Sequence, residues 1–121
     1  MLSFGPGVQV VLATSPVDLR RGHDGLASLV RSMWKADPYS GTLFVFFGRR
    51  MDRVKVLFFY AGGFTIYYRR LERGRFTMPH VAEGATRVEL DPTTHAMLLD
   101  GVDLLGIKRA PRWEPARRKS A

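Results

Sequence analysis

Three observations predict an α+β fold. An apolar face recurs at helical spacing early in the chain. Three strand-like runs, joined by tight turns, fill its middle. Glycine and proline punctuate the joins. The expectation is a single domain over residues 1–107, built on an antiparallel sheet of about four to five strands with two short helices. A basic C-terminal tail over 108–121 follows it. At 121 residues, 45% of them hydrophobic, the chain can bury one core without staples.

The elements follow in order. Gly5, Pro6 and Gly7 lead into VQVVLA (8–13), a first strand. A loop over 14–23 carries Pro16, Asp18, Arg20, Arg21 and Gly22. Leu26, Leu29, Val30, Met33 and Trp34 then stand at the i, i+3, i+4, i+7, i+8 spacing of one buried helix face. Asp24 suits its N-cap. Asp37-Pro38 is expected to end it, because the residue before a proline avoids the helical region. TLFVFF (42–47), VKVLFFY (54–60) and FTIYYRRL (64–71) read as a three-strand meander, with Ala61-Gly62-Gly63 as its second turn. TRVEL (86–90) is a further short strand. Asp91-Pro92 opens a second helix near 92–100, with Asp as cap and Pro at the first helical position, and Gly101 stops it. The positions of strands 8–13 and 86–90 in the sheet are not readable at this level.

Charge is the informative total. Nineteen Lys and Arg stand against eleven Asp and Glu, a net of +8. Lys occurs only at 35, 55, 108 and 119, so arginine supplies most of the charge. Its planar fork suits phosphate better than an ammonium does, and the balance points to nucleic acid or another polyanion. There are no cysteines, which excludes a disulfide framework, a thiolate metal site and a cysteine nucleophile. The first sixteen residues lack the basic and apolar regions of a signal peptide, and no run approaches ~18 apolar residues, so a cytoplasmic protein without a membrane span is expected.

The arginines gather. FGRRMDRVKV puts Arg49, Arg50 and Arg53 into one connection between two apolar runs, where turn geometry needs no guanidinium. The third strand of the meander returns to the same end and carries Arg69, Arg70, Arg73 and Arg75. Strands lie ~4.8 Å apart, so the seven span roughly 10–20 Å. Only Asp52 and Glu72 interleave. Such crowding costs self-repulsion that an anionic partner would remove. The alternative is local pairing to Asp52 and Glu72, with the other arginines solvated. Arg20 extends the surface. In the tail, Lys108, Arg109, Arg112, Arg117, Arg118 and Lys119 add nonspecific attraction.

The same strands are rich in Phe and Tyr on both faces. Three fates suit that pattern: burial beneath the second helix and loops, a subunit interface, or stacking on bases. Catalytic signals are thin. His23, His80 and His95 lack metal-ligand spacing, Ser15 and Ser40 lack a nucleophile-elbow context, and no phosphate-binding glycine loop occurs. Most aspartates fit caps and turns. No enzyme activity, metal or cofactor is expected. Magnesium-dependent nicking through Asp18 and Asp24 is the remaining catalytic alternative.

A longer pattern runs through these residues. It comprises Pro16, Asp18, Arg20, Gly22, Asp24-Gly25-Leu26, Asp37-Pro38, Ser40-Gly41 and LFVF (43–46). Gly48-Arg49-Arg50, Asp52-Arg53, Lys55, RLERGRF (70–76), Pro79 and LLDGVD (98–103) complete it. Over roughly residues 8–107 the chain resembles the small accessory protein encoded by the second reading frame of the insertion sequence sixty-six family, a TnpB type unrelated to the RNA-guided nuclease of that name. The resemblance implies a bacterial helper in DNA transposition, encoded beside the transposase that carries the strand-transfer site. It supplies no mechanism. Members tend to carry an aspartate after the aromatic pair before the glycine hairpin. Tyr60 stands there in this chain, so any role of that aspartate does not carry over.

The reading is a non-enzymatic accessory factor that binds DNA through phosphate contacts from Arg20, Arg49, Arg50, Arg53, Arg69, Arg70, Arg73 and Arg75. Phosphate contacts position without reading bases, so weak sequence preference is expected. The competing reading is a protein-interaction module docking on the transposase or on a sister subunit in a homo-oligomer.

Overall fold

The computed structural model describes residues 7–90. In chain order it contains β1 (Val10–Ala13), α1 (His23–Trp34), β2 (Leu43–Phe47), β3 (Arg53–Tyr60), β4 (Gly63–Arg70) and β5 (Arg87–Leu90). The expected second helix near 92–100 and the tail over 108–121 lie outside the described residues. The strands form one sheet in the order β4-β3-β2-β1-β5.

The expected antiparallel sheet needs one correction. β1 and β2 run parallel, with Val11 beside Phe44, while every other pair is antiparallel. A parallel neighbour cannot be reached by a tight turn and needs a crossover, which α1 and its flanking loops provide. The meander β2-β3-β4 stands as expected. Its second turn is a two-residue loop: Ala61 and Gly62 both have positive φ, at 50° and 82°, and Tyr60 pairs with Gly63. That is the handedness that matches strand twist.

Burial follows position in the sheet. β1 and β2 are central and buried at every residue, so their sequences run apolar without alternation. β4 is an edge and alternates. On one face, Leu26, Ala27, Val30 and Trp34 of α1 pack over Val11, Ala13, Phe44, Phe46 and Leu57. The Trp34 ring stacks on Phe44 and Phe46 at 6.0 and 5.8 Å. Leu29 and Met33 flank this group, so all five residues of the expected apolar stripe serve the core. The opposite face carries Val10, Leu12, Leu43, Val45, Phe47, Val54, Val56 and Phe58. Phe76, from the segment after β4, lies over it and stacks on Phe47 at 5.2 Å. Burial of Phe44, Phe46, Phe47 and Phe58 removes them as a base-stacking platform.

Both expected helix boundaries also move. The N-cap is Gly22, and Asp24 sits in the first turn, where its charge faces the positive end of the helix dipole. The helix ends before Asp37-Pro38. Lys35 turns left-handed at φ 53°, and the N–H groups of Lys35 and Ala36 donate to the carbonyls of Arg31 and Val30. The Asp37 carboxylate then accepts from the Tyr39 N–H at 2.9 Å, so it organises the next turn rather than the helix stop.

Candidate nucleic-acid interface

The arginine connection is a built turn. Gly48 N–H donates to the Arg53 carbonyl and Met51 N–H to the Gly48 carbonyl, both at 3.0 Å. Met51 takes a left-handed φ of 59° and packs on the core, which leaves Arg49 and Arg50 exposed at the corner. Two further bonds pin the turn from the segment after β4. Leu71 N–H donates to the Asp52 carbonyl at 2.7 Å, and Phe76 N–H to the Met51 carbonyl at 2.6 Å. On the other side, Val17 N–H donates to the Phe47 carbonyl at 2.8 Å and holds the 14–22 loop against the end of β2. Leu19 comes so close that a Cβ on Gly48 would stand 3.2 Å from its Cδ1.

The loop, the turn and the adjoining end of the sheet line an open cleft of 690 Å³. The loop contributes Val17, Asp18, Leu19 and Arg20. The turn contributes Gly48, Arg49, Arg50 and Asp52. The sheet contributes Arg53, Lys55 and Tyr68. Lys55 and Tyr68 are cross-strand partners, and Arg53 shares their face by strand alternation. The Lys55 ammonium donates to the Arg21 carbonyl at 2.8 Å and lies 5.4 Å from the Tyr68 ring centre. That pair ties the loop to the sheet and places an aromatic surface in the cleft. Tyr68 keeps 51% of its surface exposed.

The carboxylates divide the cations. Asp18 receives a forked interaction from Arg20, with Nε 3.0 Å from each carboxylate oxygen and the terminal nitrogen 2.7 Å from Oδ2, and it also accepts from the Arg20 backbone N–H. The Arg20 side chain first, and then its backbone N–H, hold the Asp18 carboxyl well below the usual carboxylate range; the same fork raises Arg20. Glu72 takes Arg70 at 2.9 Å and raises it likewise. Arg53 reaches Asp52 only at 4.0 Å. Among the described residues, no carboxylate lies within ion-pair distance of Arg49 or Arg50.

The expected cluster is therefore at one end of the sheet but not on one surface. Arg20, Arg49, Arg50 and Arg53 line the cleft. Arg70 pairs in register with Arg53, on the same face, and Glu72 holds it. Arg69 pairs with Val54 and belongs to the other face. Arg73 and Arg75 are exposed in the segment after β4 and do not line the cleft. The tail cations, Lys108, Arg109, Arg112, Arg117, Arg118 and Lys119, lie outside the described residues. Sequence reasoning missed Lys55 and Tyr68 as site residues. Their signal was period two: Lys55 is the polar exception in an apolar strand, and it falls on the face of Arg53. Among the described residues, no three His, Cys, Asp or Glu side chains come together as a metal site, and no helix is long and apolar enough to cross a membrane.

The family model for the IS66 Orf2-like protein matches residues 8–109, and so takes in the loop, the turn and every strand that builds this cleft. The chain belongs to the IS66 Orf2-like family. Two relatives from Sinorhizobium fredii (strain NBRC 101917 / NGR234) cover almost all of it. Uncharacterized protein y4jC is 37% identical over 117 residues, 97% of this chain and 98% of its own. Uncharacterized protein y4hO is 36% identical over 119 residues, with the same coverage. No solved structure matches the chain significantly. Membership in the IS66 Orf2-like family gives the protein an accessory role in an insertion sequence and an association with its transposition machinery. Tyr60 is 71% exposed at the β3-β4 hairpin, at the other end of the strand from the cleft-lining Arg53 and Lys55.

Proposed function

We propose that this IS66 Orf2-like protein is a non-enzymatic accessory factor that binds DNA during transposition, through the phosphate backbone and with weak sequence preference. The carrying observation is the pair Arg49 and Arg50: exposed, on a turn pinned by backbone bonds, and with no carboxylate within ion-pair distance among the described residues, although Asp18 lies near enough to feel the charge of Arg49. The pinned backbone fixes where the two side chains leave the turn, and their planar guanidinium groups suit phosphate oxygens. Arg53 and Lys55 extend the positive surface into the cleft, and Arg69, Arg73 and Arg75 carry it round the same end of the sheet. Arg20 and Arg70 contribute less net charge, because Asp18 and Glu72 compensate them. The tail cations add sequence-independent attraction.

Fluorescence anisotropy against labelled duplex DNA across a salt series tests this. The full chain, a chain ending at Ile107 and an Arg49→Ala/Arg50→Ala/Arg73→Ala variant are compared. The triple variant should lose affinity and flatten the salt dependence. No binding by the full chain at low salt sinks the reading.

A second reading, docking onto the transposase or a sister subunit, draws on a different place. At the hairpin end of the helix face, Tyr39, Phe59 and Phe64 form a ring group with centroids 4.9–5.2 Å apart, and Tyr39 is 53% exposed. An aromatic contact there would tolerate high salt, whereas phosphate binding weakens steeply. Salt-resistant co-purification with the transposase, lost on Tyr39→Ala, is the result that would favour it.

A further inference from the structure

The walls of the cleft are not those of a phosphate site alone. A duplex presents phosphates on a convex surface and keeps its bases stacked inside. Phosphate contacts would reward the exposed corner of the turn, Arg49 and Arg50, but they give no reason for a concavity of 690 Å³ with Val17, Leu19 and Tyr68 in its lining. That volume lies in the range of small-molecule pockets, and a lone phosphate would leave most of it unfilled. The half-exposed Tyr68 is the decisive element. It lies on β4 opposite Lys55, whose ammonium stands over its ring. Arg53 is two residues along from Lys55 on the same face. Cations that track a backbone beside an aromatic ring on which a base can stack are the means by which proteins hold unpaired strands.

We infer that the cleft takes an unpaired nucleotide of a single strand, its base against the exposed part of the Tyr68 ring and its flanking phosphates on Arg49, Arg50 and Arg53. This rests on the nucleic-acid reading above and specifies its substrate. In transposition, single-stranded segments arise wherever element ends are opened or cut. The chemistry would serve RNA equally, so the test separates the two.

The full-length protein is titrated by anisotropy with labelled dT and rU oligonucleotides and with a duplex of equal length, using wild type, Tyr68→Ala, Tyr68→Phe and Arg49→Ala/Arg50→Ala. Tyr68→Ala should weaken single-strand binding at least about fivefold, the lower end of base–aromatic stacking, and leave duplex affinity within about twofold. Tyr68→Phe should retain single-strand affinity. Tighter binding of rU than dT with the same Tyr68 dependence supports the assignment and gives the cleft to RNA. Equal affinity for single strand and duplex, both lowered by Arg49→Ala/Arg50→Ala and neither by Tyr68→Ala, overturns the assignment and leaves the phosphate-binding reading standing. Absence of binding to every probe overturns both. A second measurement does not depend on a variant folding. Photo-crosslinking of wild type to an oligonucleotide carrying 5-iododeoxyuridine should modify Tyr68, and crosslinking confined to Tyr39 or Tyr60 would overturn the assignment.

Discussion

Replacing Arg49 and Arg50 together tests the site most directly, because both side chains can be removed without touching the bonds that hold the turn. Those bonds run through backbone atoms of Gly48, Met51, Asp52 and Arg53. The structure also limits how much charge the cleft can apply. Arg20 is compensated by Asp18, which leaves Arg49, Arg50, Arg53 and Lys55 as its working cations. Each phosphate neutralised on duplex DNA contributes about −0.9 to the slope of log affinity against log salt, so these four predict about −3.6 and the double variant about −1.8. Between ~50 and ~200 mM salt, the cleft's share of the loss falls from ~150-fold to ~12-fold. The tail adds the same increment to both proteins and cancels from the difference. Anisotropy of a labelled duplex at five or six salt concentrations measures it. An Arg49→Ala/Arg50→Ala protein that stays folded by circular dichroism and binds with an unchanged slope would refute the assignment of phosphate contacts to the turn.

Asp18→Asn should free Arg20 and steepen the same slope by about 0.9, a gain of binding from loss of a carboxylate; an unchanged slope would show that Arg20 never faces the DNA. The Asp18 carboxyl is held below its unfolded value, so its stabilising contribution is fully present above about pH 4, the ordinary aspartate value, and is lost as pH falls through the lower folded value. Carboxyl NMR titration should show that low midpoint in the wild type and a return toward about 3.9 in Arg20→Ala. Phe76→Ala should cost about 3–5 kcal/mol in urea unfolding, because the ring is buried against Phe47. If the Phe76 backbone bond to Met51 also depends on that packing, the variant should lose DNA affinity as well as stability.

The sequence made the local structure legible where period and turn chemistry agreed. The stripe from Leu26 to Trp34 is the packed face of α1, and Ala61-Gly62 closes the β3-β4 hairpin. What it hid was non-local. The unbroken apolar runs of VVLA and LFVFF report burial on both faces, but not which strands are neighbours or that these two run parallel. The helix ends differ from the expected ones for a local reason: Gly22 and Lys35 cap through backbone conformation, which leaves no side-chain signal, while Asp24 and Asp37-Pro38 sit just inside and just beyond the helix. Placing the arginines at one end of the meander was a matter of topology and could be read. Separating Arg69 from Arg70, and finding Lys55 and Tyr68, needed the register as well.

That register also exposes a cost within the site. Arg53 and Arg70 are directly opposed on neighbouring strands, and like charges so placed destabilise a sheet. The fold moderates the repulsion asymmetrically. Glu72 takes Arg70 at 2.9 Å, while Asp52 stands 4.0 Å from Arg53, the cation that lines the cleft. The outer arginine is thus neutralised by its own strand end, and the inner one keeps most of its charge. Glu72→Gln should therefore destabilise the free protein only slightly, because the pair is exposed and solvent screens it. Saturating DNA should offset that loss, because phosphates would replace the missing carboxylate. Thermal shifts with and without DNA decide the point. A Glu72→Gln deficit that persists undiminished in the complex would mean that the Arg53–Arg70 edge stays in solvent, and that the binding surface ends at the turn.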